Sequence, residues 1–424
     1  MNIIKVLHSI DHSCFNEKIE LLTDGKHGGV DFTENGVVFL RNTNIKENII
    51  DLSDLKYISE QESNETKRAE FKERDLLLTT IGTLGVCVKV PKEFPKATIN
   101  QNLVRIVLKN KSEASIICSF LNSKYGRGQL LRWAAGNVYQ MINYPNLKKI
   151  LIPKFSSEFV LSIDNLYNKS ELKYKQSQSL YGQAEELLLG TIGLKDFIPS
   201  QEKTNIKSFK ESFLKTGRLD AEYYQLKYEE IEKCIKNFKL GFTRVSYKFS
   251  LSKEISNRTE EFYNYTEISD VNISDGSINY NELSVDELPD NGKMVLREGQ
   301  IIISKVRPYR GAIGIIRECP KNHIGSGAFT ILNEISDYKK EVLQVLLRSK
   351  PYKELIMKDN VGSSYPVVKD ENILNLIIPI IDFKTQEKIA SLVQESFYLR
   401  KESERLLTEA KEMVEREIED GIYN

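Results

Sequence analysis

Between Ser157 and Leu189 the chain advances in steps of seven. Ile163, Ser170, Ser177 and Ala184 form one column, and Tyr167, Tyr174, Tyr181 and Leu188 follow each of them four places later. Such steps gather on one face of a helix, so the pattern predicts a helix that stops at Gly190 and Gly193. A second column, Ile389, Ser396, Ser403 and Ala410, stands beside Leu392, Leu399, Leu406 and Met413 and predicts a second long helix from about Lys384 to Glu419. A helix that only covers a core would carry Leu or Ile where these serines sit. Small residues at heptad spacing instead let another helix come close, and two matching helices from a duplicated chain are expected to lie antiparallel as a coiled coil. The alternative is that each helix packs only on its own globular region.

Elsewhere the pattern is that of short strands. FLRNTNI, DLLLTTIG, GVCVKV and NLVRIVL are β-branched and apolar runs cut by Gly, Pro and Asn. A helical patch, Ala114–Trp133, a polar Gly-bearing loop and an Ile-Pro strand end follow, and then the long helix. The whole order recurs. Ser123-Lys124 matches Ser349-Lys350, Gly136 matches Gly362, Tyr139 matches Tyr365, and Ile152-Pro153 matches Ile378-Pro379, each pair 226 residues apart, as are the four pairs of small seam residues. LLLTTIGTLGVCV resembles IIISKVRPYRGAIGI at a shift of 225, so one indel separates the blocks. Strand, loop and helix pieces keeping one register indicate a true internal duplication. The expected fold is α+β: two mixed α/β domains of like fold separated by two long antiparallel coiled-coil helices, with pseudo-twofold duplication. The predicted boundaries are 1–155 for the first domain, 156–194 for the first long helix, 195–383 for a connector with the second domain, and 384–424 for the second long helix. A helix of this length is ~50 Å long at 1.5 Å per residue. That suits a ligand gripped at two places, such as duplex DNA with its repeat of about 34–36 Å per turn.

Composition narrows the classes. Five cysteines form no CxxC pair, and His8, His12, His27 and His323 lack metal spacing, which argues against a disulfide framework and a zinc site. The opening MNIIKVLHSIDHSC is too short and polar for a signal peptide, and apolar runs such as NLIIPII fall short of a membrane span, so a cytoplasmic protein is expected. Lys+Arg and Asp+Glu both number 60. That balance speaks mildly against a nucleic-acid binder, but the charge is unevenly placed. EAKEMVEREIED is acid-rich, whereas SKVRPYRG, Ser304–Gly311, carries Lys305, Arg307 and Arg310 without an acid. No NPPY- or DPPY-type motif, methyl-donor loop or GxxxxGK[ST] sequence occurs, so neither adenine methylation nor P-loop ATP hydrolysis is expected on this chain.

Taken in order, DGKHGG before FLRNTNI, LLLTTIGTLG followed by INQNLVRI, the loop GNVYQMINYPNLKKILIP with its partner GSSYPVVKDENILNLIIP, and GRLDAEYYQ opening the second copy resemble the DNA-specificity (S) subunits of Type I restriction-modification enzymes. The likeness covers essentially the whole chain, except that no counterpart of RLDAEYYQ precedes the first module. The resemblance implies a non-catalytic reader. Each target-recognition domain would read one half of a split DNA sequence, and the helices would fix the gap and dock two methyltransferase (M) subunits. A motor-nuclease (R) subunit would join for cleavage. It also implies no cofactor here, with S-adenosylmethionine, and ATP with Mg, on the partner subunits, and no membrane. A related possibility is the separate specificity chain of a Type IIB-like enzyme that cuts on both sides of its site. From other classes, the alternatives are a nuclease holding Mg on unrecognised carboxylates and a duplicated protein-interaction scaffold.

Base reading needs bidentate donors and acceptors on loops that enter a groove. SKVRPYRG offers Lys305, Arg307 and Arg310 for guanine edges or phosphates and Tyr309 for a sugar or base; the alternative is a solvated hairpin loop. The aligned TTIGTLG offers Thr79, Thr80 and Thr83 but no cation. Lys26, His27, Arg41, Asn42, Asn44 and Gln101 lie in polar segments next to strands. The loops with Asn137, Tyr139 and Gln140, and with Ser363, Ser364 and Tyr365, either contact phosphates or are turns leading into the Ile-Pro strands. Arg127, Arg132, Lys148 and Lys358 are generic phosphate neutralisers. His323, in KNHIGSG, either faces DNA or is an ordinary polar loop histidine.

Overall fold

A computed structural model describes residues 3–52, 54–134, 140–200, 202, 204–361 and 365–423. The chain divides into two compact units, Met1–Gln176 with Leu399–Asn424, and Ser177–Tyr398.

In the first unit the predicted strand runs become β1 (Ile19–Asp24), β2 (Val37–Leu40), β3 (Leu76–Thr79), β4 (Cys87–Lys89), β5 (Ala97–Ile99) and β6 (Leu103–Leu108). One sheet has the order β1-β6-β3-β4, all antiparallel, and β2 forms a second sheet with β5, which lies parallel to it. Every residue of β2, β3, β4, β5 and β6 is buried, which explains continuous apolar runs rather than alternation. The patch Ala114–Trp133, read as one helical stretch, is two helices, α1 (Ala114–Asn122) and α2 (Lys124–Arg132). Ser123 between them is extended, and its hydroxyl donates to the Phe120 carbonyl (2.6 Å) and accepts from the Gly126 amide (3.2 Å). A serine hydroxyl thus ends one helix and caps the next. The repeated Ser349 donates to the Leu346 carbonyl at the same 2.6 Å.

The second unit repeats this plan with β7 (Phe249–Leu251), β8 (Phe262–Thr266), β9 (Ile301–Ser304), β10 (Ile313–Ile315), β11 (His323–Ser326) and β12 (Phe329–Glu334). Its main sheet has the order β7-β12-β9-β10, and β8 runs parallel to β11. The duplication holds to the residue. Val38 pairs with Ala97 in the first unit and Asn264 with His323 in the second, and both members have moved by 226. Leu78 pairs with Val104, and Ile303 with Thr330; here the first member has moved by 225 and the second by 226, so the second copy is one residue shorter between β2 and β3 and one longer between β3 and β4. The Ile-Pro ends are strands Leu151–Pro153 and Ile377–Pro379, paired with His12–Cys14 and Phe242–Arg244. Helices α4 (Lys340–Arg348) and α5 (Lys350–Ile356) follow β12.

The long helices are α3 (Ser157–Ile192) and α6 (Phe383–Tyr423), longer at their C-terminal ends than the periodicity suggested. Both contribute to each unit. In the first, the Ser170 and Ser403 hydroxyls meet at 2.8 Å, and each also donates to the other's backbone carbonyl at 3.0 Å. Ile163 and Ala410, both fully buried, belong to that unit's core together with Tyr167, Leu407, Val414 and Phe120. In the second, the Ser177 and Ser396 hydroxyls lie 3.2 Å apart and Ser396 donates to the Ser177 carbonyl at 2.8 Å, while Ala184 and Ile389 join the core with Leu188 and Val393. In each unit one number rises by seven as its partner falls by seven, so the facing segments run antiparallel. A hydroxyl reaches a carbonyl across a helix interface only when the backbones approach closely. The four seam serines are 2–5% exposed, and the serine column is therefore the contact itself. Each helix segment also packs on the adjoining strand-rich module, so the alternatives weighed from sequence coexist.

Candidate nucleic-acid interface

In the first unit the strand registers bring one set of loops to one end. Asp24 pairs with Val104, Thr79 with Leu103, Cys87 with Leu78, and Leu40 with Ile99, so the segments leaving β1, β2, β3 and β5 emerge together. A bridge between Lys26 and Asn100, and the Asn100 amide donating to the Leu40 carbonyl (3.0 Å), tie the ends of the two sheets. Gly25 makes this approach possible, because a Cβ there would stand 1.7 Å from the Ile99 carbonyl oxygen. The Gly28 amide donates to Gln101 Oε1 (3.4 Å), a Cβ on Gly82 would stand 2.9 Å from Asn42 Nδ2, and Ile81 bridges to Met141. Lys26, His27, Asn42, Thr83, Gln101 and Gln140 thus lie on loops of this one end, with His27, Thr83, Gln101 and Gln140 exposed.

Several predicted contacts are internal instead. Thr79 is fully buried and its hydroxyl accepts from the Val86 amide at 2.9 Å; Thr80, 4% exposed, donates to the Asn102 carbonyl at 3.2 Å. Thr79 ends β3 and Thr80 follows it, and their hydroxyls stitch the loop stem. Asn44 is 2% exposed, accepts from the Arg41 amide (3.0 Å) and donates to the Asp51 carbonyl (3.0 Å), which makes it a turn brace. Arg41 is half-buried and pairs with Asp54 at 2.9 Å. Polar groups on the surface are matched by acids: Lys26 pairs with Glu62 (2.8 Å) and Glu65 (2.9 Å), and His27 Nε2 lies 2.7 Å from Asp24 Oδ2. Arg68, exposed and 3.6 Å from Asp24, joins this end from the 3-10 turn Lys67–Ala69, far away in sequence.

The second unit differs in chemistry. After β9 the Lys305 amide donates to the Ala328 carbonyl (2.9 Å) and the Arg307 amide to the Pro366 carbonyl (2.8 Å). Arg307 is left-handed (φ 48°), Pro308–Arg310 make one 3-10 turn, and Gly311 is left-handed again (φ 76°). SKVRPYRG is therefore a fixed knuckle rather than a solvated hairpin loop. The Arg307 guanidinium lies 4.4 Å from the Tyr365 ring centroid, Tyr309 and Arg310 are exposed, and Lys305 sits 3.3 Å from Asp370. Neither Arg307 nor Arg310 forms an ion pair with an acid among the described residues.

His323 is a buried strand residue rather than a loop histidine. It opens β11, is 4% exposed, and its Nε2 lies 2.9 Å from the Thr266 hydroxyl. Burial pushes its imidazole down to about 4. Below the unfolded value near 6.5 the unfolded chain takes up a proton that the folded one refuses, so stability is present above that pH and lost as pH falls toward 4. We expect roughly 3 kcal/mol of loss across that window. Denaturation at pH 7 and pH 4.5 should show the second unit weakened, with much less pH dependence in His323→Gln. Asn137, Tyr139, Ser363 and Ser364 lie outside the described residues.

Among the described residues no group of His, Cys, Asp or Glu is arranged to hold a metal ion, and no helix is long and apolar enough to cross a membrane. No family model matches the sequence, and no curated protein matches it. Among solved structures, the chain is similar to the S subunit of a Type I restriction-modification system from M. genitalium, at 14% identity over 96% of this chain and 95% of that one, with a TM-score of 0.42. It is also similar to a chain from a structure of complex assembly and conformational transition in the Type I R-M system, at 12% identity, 97% of both chains and a TM-score of 0.31. The HsdS subunit from Thermoanaerobacter tengcongensis gives 12% identity, 97% and 96% coverage and a TM-score of 0.30.

Proposed function

We propose that this chain is the DNA-specificity subunit of a Type I restriction-modification system, reading a bipartite duplex target with one half-site per module and performing no catalysis itself. The observation that carries the reading is the pair of like-built modules that keep one strand register yet present different loop chemistry. The end of the first module is polar and acid-matched, while the second offers Arg307 and Arg310 on a rigid knuckle. Two unlike half-sites call for such a difference. Arginine in a fixed geometry suits guanine edges and phosphates, and exposed Gln101, Gln140 and Thr83 suit adenine edges or backbone oxygens. The partners in this reading are two methyltransferase subunits bringing S-adenosylmethionine, and a restriction subunit using ATP and Mg.

The test is selection from a randomised duplex library by the full chain co-purified with its methyltransferase. Recovery of two defined half-sites around an undefined gap is expected. A single uninterrupted motif would reject the reading, as would DNA cutting by the chain alone with Mg. Phosphate contacts also require binding to weaken steeply with salt. Lengthening both long helices by one heptad should widen the gap and leave each half-site unchanged.

A further inference from the structure

The two modules share one internal connection that runs from a long-helix tyrosine to the strand leaving the candidate reading loop. In the first unit Tyr167 Oη donates to Asn48 Oδ1 (2.8 Å), and Asn122 Nδ2 donates to the same oxygen (3.0 Å) and to the Cys87 carbonyl (2.8 Å). The Cys87 amide donates back to Asn122 Oδ1 (2.9 Å). Cys87 begins β4, directly after the loop that follows Thr80. In the second unit Arg348 Nε donates to Tyr181 Oη (2.8 Å), its Nη1 to the carbonyls of Gly311 (2.9 Å) and Ile313 (3.2 Å), and its Nη2 to the Ile273 carbonyl (3.0 Å). Ile313 begins β10, directly after the Arg307–Gly311 knuckle.

The correspondence is positional. Asn122 and Arg348 close α1 and α4 and stand 226 residues apart, as do Cys87 and Ile313. The side chains differ, but each donates to the carbonyl of the matching strand residue. Arg348 is 8% exposed, and its guanidinium hydrogen-bonds to carbonyls and a phenol, with the Glu185 carboxylate near enough to act on it through charge but not bonded to it. A buried arginine held only by neutral acceptors is a costly way to fill space. Its four bonds instead fix the loop exit to α3 and to the loop containing Ile273.

We propose that Tyr167 with Asn122, and Tyr181 with Arg348, are positioning residues that lock each reading loop to its own segment of the first long helix. This rests on the DNA-reading assignment of those loops. Each clamp governs one half-site, because its partners lie within one unit. Loosening it lets the loop shift against the bases without disturbing the helix seam, since Tyr181 and Arg348 make none of the serine contacts.

Two measurements on the full chain test it, using Tyr181→Phe, Tyr167→Phe and, as the conservative charge-keeping change, Arg348→Lys. In free protein, amide exchange at Arg310, Gly311 and Ile313 should quicken about tenfold in Tyr181→Phe and Arg348→Lys, with the amides around Ser170 unchanged. In duplex-library selection with the methyltransferase, Tyr181→Phe should reduce discrimination about fivefold at one half-site only, and Tyr167→Phe at the other. Unchanged exchange at the knuckle in both second-unit variants overturns the clamp, as does equal loss at both half-sites. If the parent chain itself selects no bipartite sequence, the DNA reading fails, while the exchange result still decides whether the clamp exists.

Discussion

Ser170→Leu should destabilise the first unit by about 4 kcal/mol, whereas Ser170→Ala should cost only about 1 kcal/mol. The Ser170 hydroxyl sits against the Ser403 hydroxyl at 2.8 Å and the Ser403 carbonyl at 3.0 Å, and the reciprocal bond is also 3.0 Å. Alanine removes one hydroxyl and leaves Ser403 still donating to the Ser170 carbonyl. Leucine must place a branched side chain where only backbone and a hydroxyl face it. Extra methylenes in a packed core cost about 1–3 kcal/mol, and the lost hydrogen bonds add roughly 1 kcal/mol more. Ser403→Leu should do the same, and Ser177→Leu or Ser396→Leu should affect the second unit through its own pair. Chemical denaturation followed by circular dichroism measures this. A leucine tolerated within about 1 kcal/mol would mean that the helices have room to spare at the seam.

The double change Arg307→Ala with Arg310→Ala should lower affinity for the selected duplex about 100-fold and reduce the salt slope by about two. Arg307 is held by the hydrogen bond its amide donates to the Pro366 carbonyl and by the Tyr365 ring, and Arg310 projects from the same turn between two left-handed residues. A cation fixed before binding loses little freedom on contact, which favours a strong, directional bond. With bidentate base contacts the loss concentrates on duplexes carrying the preferred second half-site. With phosphate contacts all sequences suffer alike. Binding titrations at several salt concentrations separate these, and an affinity within twofold of the parent chain would remove the knuckle from the interface.

The seven-residue columns foretold the helix pair because a small residue at a seam has one physical use, close approach, and the structure places all four serines there. The duplication was legible because pairing partners far apart in the chain keep one offset, so the pairing of Val38 with Ala97 recurs as Asn264 with His323. The sites were less legible. Thr79, Thr80 and Asn44 are polar residues at strand ends, as a DNA contact would be, yet their hydroxyl and amide groups close turns of their own chain. Sequence does not separate the two uses, since the deciding partner is a backbone group several residues away. KNHIGSG has the composition of a loop, although His323–Ser326 within it pair as a strand. The ion pairs of Lys26 are not legible in its own polar segment because its acids, Glu62 and Glu65, stand far along the chain. Arg348 was hidden by its own alignment: it matches Asn122, and only their bonds to equivalent carbonyls reveal a common task.

The central claim, that two independent modules each read half of one duplex, is tested most directly by exchanging residues 1–155 for the matching module of a related chain and repeating the duplex selection with the methyltransferase present. The account predicts that one half-site changes while the other half and the gap stay as they were. Change in both halves, or in neither, would contradict it.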